Sequence, residues 1–250
     1  MKKTLYFALP LVAVMSVQAT QAAEWGYEVP EDWGGKSSDF VMCDRGFNQT
    51  PINIEGALKA DLKPLQLQYK NSSQTVVNNG HTVQVDVSSG GGSMVLDDKA
   101  FELLQFHFHS PSENHINGKS FPMEVHFVHR SPQGELAVLG LMFSEGKANQ
   151  QLEEAWKAMP KEKNKPKALA KGVDIHALLP KQLDYYRFSG SLTTPPCTEG
   201  VRWLVLKEPV SISKEQIGQF VAVMKQMGHT HTNREVKSLN GRVVLSCCGD

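Results

Sequence analysis

The sequence predicts a mainly β protein, built on a large twisted, mostly antiparallel central sheet with a few short peripheral helices. Two observations carry this. Short runs rich in β-branched and aromatic residues, often alternating apolar with polar, recur through most of the chain. Only two stretches have the apolar spacing of a helix.

Taken in order, the chain opens with Lys2 and Lys3, an apolar run from Leu5 to Val17, and the small-residue stretch "VQATQAA". This is the pattern of a secretory signal peptide over residues 1–23, with cleavage expected between Ala19 and Ala23. Such a leader directs the product to a Gram-negative periplasm. No later stretch approaches the roughly 20 apolar residues of a membrane span. Removal of Lys2 and Lys3 leaves 24 basic side chains against 26 acidic ones, a formal charge near −2 and no nucleic-acid footprint. Residues 24–250 suffice for one sizeable core, so one domain is expected.

The strand runs are "TVQVDV" (Thr82 to Val87), "SMVLDD", "FELLQFHFH", "MEVHFVHR", "ELAVLGLMF", "YRFSGSL" and "VRWLVLKEPV". Between the first two, "SSGGGS" at Ser88 to Ser93 reads as a hairpin turn. One helix is expected from about Asn149 to Met159. A second begins at Ser213, where Gln216 completes a capping box; Ile217, Phe220, Val221 and Met224 form its apolar stripe, and Gly228 ends it. Of four cysteines in an exported chain, Cys43 and Cys197 are the expected disulfide. Cys247 and Cys248 are adjacent, where a bridge between neighbours is strained, and both free thiols and links between chains are open for them.

In an extended strand side chains alternate, so Gln105, His107 and His109 share one face while Phe106 and Phe108 take the other. In "MEVHFVHR" the same rule groups Glu124, His126 and Val128. Two neighbouring strands of this kind present three imidazoles to one point, with a carboxamide and a carboxylate in phase to accept their second ring N–H. A catalytic zinc site uses three protein ligands, an open position and oriented histidines of this kind. His107, His109 and Glu113 also spell the H-x-H-x-x-x-E of a cupin's first metal motif, although the glycines that flank it in cupins fall here on Phe101 and Ser120. A cupin-like metalloenzyme is therefore the minor alternative.

An ordered set of motifs covering nearly all of the mature chain adds a resemblance. It comprises "WGY" at Trp25, "QTPINI" at Gln49, "NNGH" at Asn78, "FHFHSPSEN", "MEVHFVH", "LAVLG" at Leu136, "SGSLTTPPCTEGVRW" at Ser189 and "LNGR" at Leu239. Together they resemble the exported bacterial branch of the α-class carbonic anhydrases. The resemblance implies zinc-dependent, reversible hydration of carbon dioxide to bicarbonate and a proton by a zinc-bound hydroxide. It implies His107, His109 and His126 as zinc ligands, with Gln105, Glu124 and the backbone of Asn240 behind them. Thr193 would donate its hydroxyl hydrogen bond to Glu113 and orient the nucleophile, Thr194 would line the bicarbonate position, and Val128, Val138, Leu192, Val201 and Trp203 would form the carbon dioxide wall. His81 matches the proton shuttle, whose reading from its neighbours alone is an exposed turn histidine, and Tyr27 matches a residue that orders the connecting water. Bacterial relatives of this kind make a homodimer the assembly to look for.

Two departures stand out. Asn114 occupies a position where many members have histidine, so altered local support is expected there, and "EVPEDWGG" after Tyr27 is shorter than usual. His115, His129, His176, His229 and His231 receive no role, and "HTHTN" at His229 to Asn233 reads as an exposed loop. A non-catalytic zinc-binding module or a zinc carrier is the alternative class; the former would lack ligands, and the latter would hold its metal on an exposed or flexible site.

Overall fold

The computed structural model describes residues 23–70, 72 and 74–248, so all but the last residue of the expected leader lies outside the described residues. Eight principal strands frame the molecule: β1 (Gln74–Asn78), β2 (Val83–Val87), β3 (Gly92–Leu96), β4 (Lys99–His109), β5 (Met123–Arg130), β6 (Leu136–Glu145), β7 (Tyr185–Ser191) and β8 (Glu199–Leu206). They belong to a 13-stranded sheet whose linear order is Lys167–Ala168, β1, β2, β4, β5, β6, β8, β7, Leu245–Ser246, Leu58–Lys59. Among the described residues of that sheet, parallel pairing is confined to β6 with β8, β6 with Val210–Ile212, and the last two short strands with each other. The mainly β, mostly antiparallel expectation holds, and the linear strand order removes the cupin barrel.

Each predicted run forms a strand, with two corrections. "VRWLVLKEPV" is not continuous: β8 stops at Leu206 and Val210–Ile212 resumes alongside β6. Pro209 in the gap has no N–H to give a ladder. "SSGGGS" does not turn a hairpin, because β2 and β3 do not pair with each other. Both lie antiparallel along β4, β2 against Gln105 to His107 and β3 against Lys99 to Glu102. The loop therefore carries the chain along one strand edge. Gly92 makes this work: its φ is +137°, and a Cβ there would come within 2.6 Å of the Tyr69 Cα.

The helices follow their caps. Gln150–Leu152 is a 3-10 turn, capped by the Asn149 side chain, that leads into α1 (Glu153–Ala158). Helix α2 (Lys214–Gln226) starts with the full capping box between Ser213 and Gln216. It buries Phe220, Val223 and Met224, and Gly228 closes it at φ +90°. Three further one-turn helices, Trp33–Lys36, Val41–Arg45 and Ile175–Leu178, lack any sequence periodicity long enough to announce them.

Two apolar clusters flank the sheet. The larger holds Phe106, Phe108, Val125, Phe127, Leu139 and Phe220. The smaller holds Ile52, Val138, Val201 and Trp203, with Val128 and Leu192 packed against it. Alternation along β4 and β5 thus sends the aromatics into the main core and leaves the histidine face toward the smaller cluster.

The disulfide Cys43–Cys197 joins residues 154 apart in sequence, with Cα atoms 5.0 Å apart. Cys247 and Cys248 are bonded to each other, which replaces both alternatives left open for them; as chain neighbours their Cα atoms lie 3.8 Å apart and their sulfurs are within reach.

His129, on the core face of β5, is fully buried, and its Nε2 meets the Tyr69 hydroxyl at 2.9 Å. Burial pushes its pKa down to about 4, against smaller opposing effects of nearby backbone. The unfolded chain binds this proton at a higher pH than the native one, so the associated stability is complete above about 6.5 and drains away as pH falls toward 4. In His129→Leu the dependence of unfolding free energy on pH across that window should be shallower by about 1.4 kcal/mol per pH unit. Urea melts at a series of pH values measure this; the slope is the readout, since the Tyr69 hydroxyl loses its partner at every pH.

Candidate metal centre

The pairing of β4 with β5 sets His107 directly opposite His126 and His109 opposite Glu124. The three histidines offer ring nitrogens that all lie within 4.8 Å of one another. Two of the opposite nitrogens are hydrogen-bonded elsewhere, and the third faces a carboxylate. His107 Nδ1–H donates to Gln105 Oε1 at 2.9 Å, and His109 Nδ1–H donates to the Thr232 carbonyl. Glu124 Oε1 lies 2.9 Å from His126 Nε2, in contact but off the line of the ring N–H. Since a carbonyl can only accept, Gln105 and Thr232 hold the protons on Nδ1 of His107 and His109 and leave their Nε2 lone pairs facing inward, while the Glu124 carboxylate beside His126 Nε2 favours a proton there and a lone pair on Nδ1.

The inward atoms want a positive charge. His109 Nε2 and Glu113 Oε2 are buried without a hydrogen-bond partner. Glu113 Oε2 stands 3.4 Å from His109 Nε2 and 3.8 Å from His126 Nδ1. Burial and the neighbouring His126 push His107 down to about 3, and the same causes hold His109 well below its ordinary value, so neither ring takes up the proton at neutral pH. Burial opposes protonation of His126 as well, but the charges of Glu124 and Glu113 outweigh it. Burial raises Glu113 to about 7, against the lowering effects of His126, the Thr193 hydroxyl and the Arg234 N–H. Two neutral imidazole lone pairs, a third ring whose proton a cation would displace, and a carboxylate acceptor beside them fit a zinc ion. The burial of His109 (0%) and His126 (1%) also argues against a carrier with an exposed site.

One expected partner is corrected. Asn240 does not support His109; its amide donates to the Phe47 carbonyl on the surface. Thr232 takes that place, and its hydroxyl also accepts from the Ser110 N–H. The "HTHTN" segment is accordingly no exposed loop: His229 (8%), Thr232 (1%) and the following Arg234 (0%) are buried. Sequence reasoning missed Arg234 as well. Its N–H donates to Glu113 Oε1, and its guanidinium donates to Gln49 Oε1 and to the carbonyls of Thr50 and Cys43. A segment without apolar periodicity gives no sign that it will be enclosed.

The other expected residues gather around the trio. A cavity of about 100 Å³ reaches it, lined by Tyr27, His81, Gln84, His107, His109 and Thr194 among others. Thr193 is buried beside Glu113, in the loop that Cys43–Cys197 ties down. Val128, Val138, Leu192, Val201 and Trp203 all fall in the smaller apolar cluster, and the Trp203 ring stands edge-on to His126 at 4.9 Å. His81 is no exposed turn residue: it is half-buried and stacks on Trp25, with centroids 3.8 Å apart. The Tyr27 hydroxyl is buried without a partner.

Asn114 proves to be a brace. Its Nδ2 donates to Glu124 Oε1, its Oδ1 accepts from the Ile52 N–H, and the N–H groups of Glu113 and Asn114 both donate to Glu124 Oε2. Asn114→Ala should strand two buried partners, costing about 1–3 kcal/mol in urea unfolding. It should also weaken metal retention by about 10- to 100-fold in chelator competition.

The profile of the family described as eukaryotic-type carbonic anhydrase matches residues 28–248. A carbonic anhydrase of Pectobacterium atrosepticum is 50% identical over 248 residues, covering 98% of this chain and 100% of the relative. One of Neisseria gonorrhoeae is 45% identical over 88% of this chain and 87% of its own length. Among solved structures, the α-carbonic anhydrase of Thermovibrio ammonificans in complex with sulfanilamide aligns with a TM-score of 0.86 at 48% identity, over 90% of this chain and 100% of that one. With this profile, and with relatives matched along its whole length, the chain belongs to the α class of the carbonic anhydrase family and is an enzyme of that family.

Proposed function

We propose that the protein catalyses the reversible hydration of carbon dioxide to bicarbonate and a proton, using zinc held by Nε2 of His107, Nε2 of His109 and Nδ1 of His126. The observation that carries this reading is the convergence of one ring nitrogen from each histidine within 4.8 Å of the others, with the outer nitrogens of His107 and His109 hydrogen-bonded and that of His126 set against Glu124. When bound, zinc supplies Lewis-acid activation of water at neutral pH.

The chain's own groups do the rest. Glu113, anchored by the Arg234 N–H, accepts a hydrogen bond from the Thr193 hydroxyl. The Thr193 oxygen is then left to accept a hydrogen bond from the attacking water, which turns that water's free lone pair toward the substrate. The Thr193 N–H meets the substrate oxygen on which charge develops, and Thr194 lines the place that bicarbonate leaves. Carbon dioxide is apolar and sits against Val128, Val138, Leu192, Val201 and Trp203, a wall supported by their common cluster. His81 receives the proton, and the unpartnered Tyr27 hydroxyl orders the water between.

The reading includes export. On this reading the chain carries a leader over residues 1–23 and one catalytic unit over 24–250, and the enzyme works in the periplasm. The Cys43–Cys197 disulfide supports an oxidising compartment.

Stopped-flow carbon dioxide hydration tests the proposal. Activity should vanish when zinc is stripped and return when zinc is restored; one equivalent of bound zinc without hydration would overturn it. His126→Ala should lose activity and most zinc. His81→Ala should slow turnover chiefly in dilute buffer and be rescued by imidazole, and equal impairment of both variants in concentrated buffer would remove the shuttle assignment.

A further inference from the structure

Lys163 is a cation without a counter-charge, set beside His81. Among the described residues the lysines in ion pairs are Lys63, Lys99 and Lys157, and Lys163 has no carboxylate partner. Its side chain lies over the backbone of Gly80: a Cβ built on that glycine would stand 2.6 Å from Lys163 Cε and 3.0 Å from its Nζ. Hydrogen bonds hold the lysine loop against the turn. The Asn164 N–H donates to the Asn78 carbonyl at 2.7 Å, and Asn78 Nδ2 donates to the Pro160 carbonyl at 3.3 Å. Within the turn, Asn78 Oδ1 accepts from the Gly80 N–H and Asn79 Oδ1 from the His81 N–H. The loop that bears the ammonium and the turn that bears the imidazole are thus laced together.

An outer cavity of about 520 Å³ opens where they meet, bordered by Glu24, Trp25, His81, Lys163 and His229 among others. His81 also lines the small cavity at the metal centre, so this one ring borders both spaces. Its Nδ1 is buried without a partner, which leaves Nε2 to exchange protons. His229 keeps Nε2 on the Gly80 carbonyl and its Nδ1 is buried, so it takes no part. The charge around the outer cavity is lopsided. Lys161, Lys163, Lys165, Lys167 and Lys171 share their loop with the single carboxylate of Glu162, in a chain whose formal net charge is +0. Glu24 is the one carboxylate on the cavity lining.

We propose that Lys163 docks an oxyanion base of the hydrogenphosphate type in the outer cavity, where that base takes the proton His81 carries away from the metal centre. The inference rests on the shuttle reading given above. In the step, the Nε2–H bond of the His81 imidazolium breaks and an O–H bond forms on the anion. Hydrogenphosphate leaves as dihydrogenphosphate, and the ring ends neutral. The ion loses one negative charge in the exchange, so the attraction of Lys163 for it falls and the spent ion departs. Burial, then His229, then Lys163 hold His81 down to about 4. An anion seated against Lys163 offsets that cation and eases loading of the ring. Glu24, across the cavity, opposes the same anion. A neutral base such as imidazole needs no cationic anchor, which separates this site from general access to His81.

The test follows carbon dioxide hydration by the zinc enzyme at saturating carbon dioxide and constant ionic strength, while either hydrogenphosphate or imidazole is titrated in. In Lys163→Gln the phosphate concentration that gives half the maximal rate should rise about 3- to 10-fold, the effect of removing one cation beside a dianion in partly solvated surroundings. The imidazole dependence should stay as in wild type. Lys163→Arg should keep the wild-type phosphate dependence, and Glu24→Gln should shift it to lower concentration. A phosphate dependence unmoved in Lys163→Gln would overturn the proposal, as would an equal rise for both buffers, which marks a disturbed His81 turn. His81→Ala measured alongside separates the two readings. If it slows turnover in dilute buffer while Lys163→Gln leaves the phosphate dependence unmoved, only the docking role of Lys163 falls. If His81→Ala is also without effect, the shuttle reading falls and this inference with it.

Discussion

The register between β4 and β5 is the constraint on which the rest depends. It sets His107 across from His126 and His109 across from Glu124, and so decides that three rings converge. A slip of one residue would turn His126 and Glu124 into the main core and bring Val125 and Phe127 to the site. Register is held by the opposite face, where Phe106, Phe108, Val125 and Phe127 pack into the main core without exposure. The apolar face thus fixes the polar one.

Burial and chemistry are balanced through hydrogen bonds. Glu113, Glu124, Asn114, Arg234 and two of the three histidines are removed from water, which is tolerable because most of their polar atoms have partners. Arg234 alone answers to Gln49, Thr50 and Cys43 and gives its N–H to Glu113. Among the exceptions, His109 Nε2, Glu113 Oε2 and His126 Nε2 lie at the metal centre and the Tyr27 hydroxyl and His81 Nδ1 close to it, while Ser72 Oγ, His129 Nδ1, His229 Nδ1 and Arg234 Nε lie away from it.

Distant segments complete the site. Trp25 and Tyr27 come from near the start of the described chain, His81 from a turn between β1 and β2, and His229 to Arg234 from the coil after α2. The Cys43–Cys197 disulfide and the bond from Gln49 Nε2 to the Cys197 carbonyl tie the early segment to the loop that bears Thr193 and Thr194. The sheet provides the rigid base, and irregular segments, which can present backbone carbonyls sideways, provide the rim.

Strand identity, the capping box of α2 and the three histidines were legible in the sequence, because alternation and capping depend on neighbours a few residues apart. The path of "SSGGGS" along β4 was not, since a glycine loop bends either way until a third strand claims its flanks. The replacement of Asn240 by Thr232 behind His109, the burial of "HTHTN" and the bracing role of Asn114 were decided only by the tertiary structure. Each depends on a partner more than ten residues away or on a backbone carbonyl, which every residue carries and no side-chain pattern distinguishes.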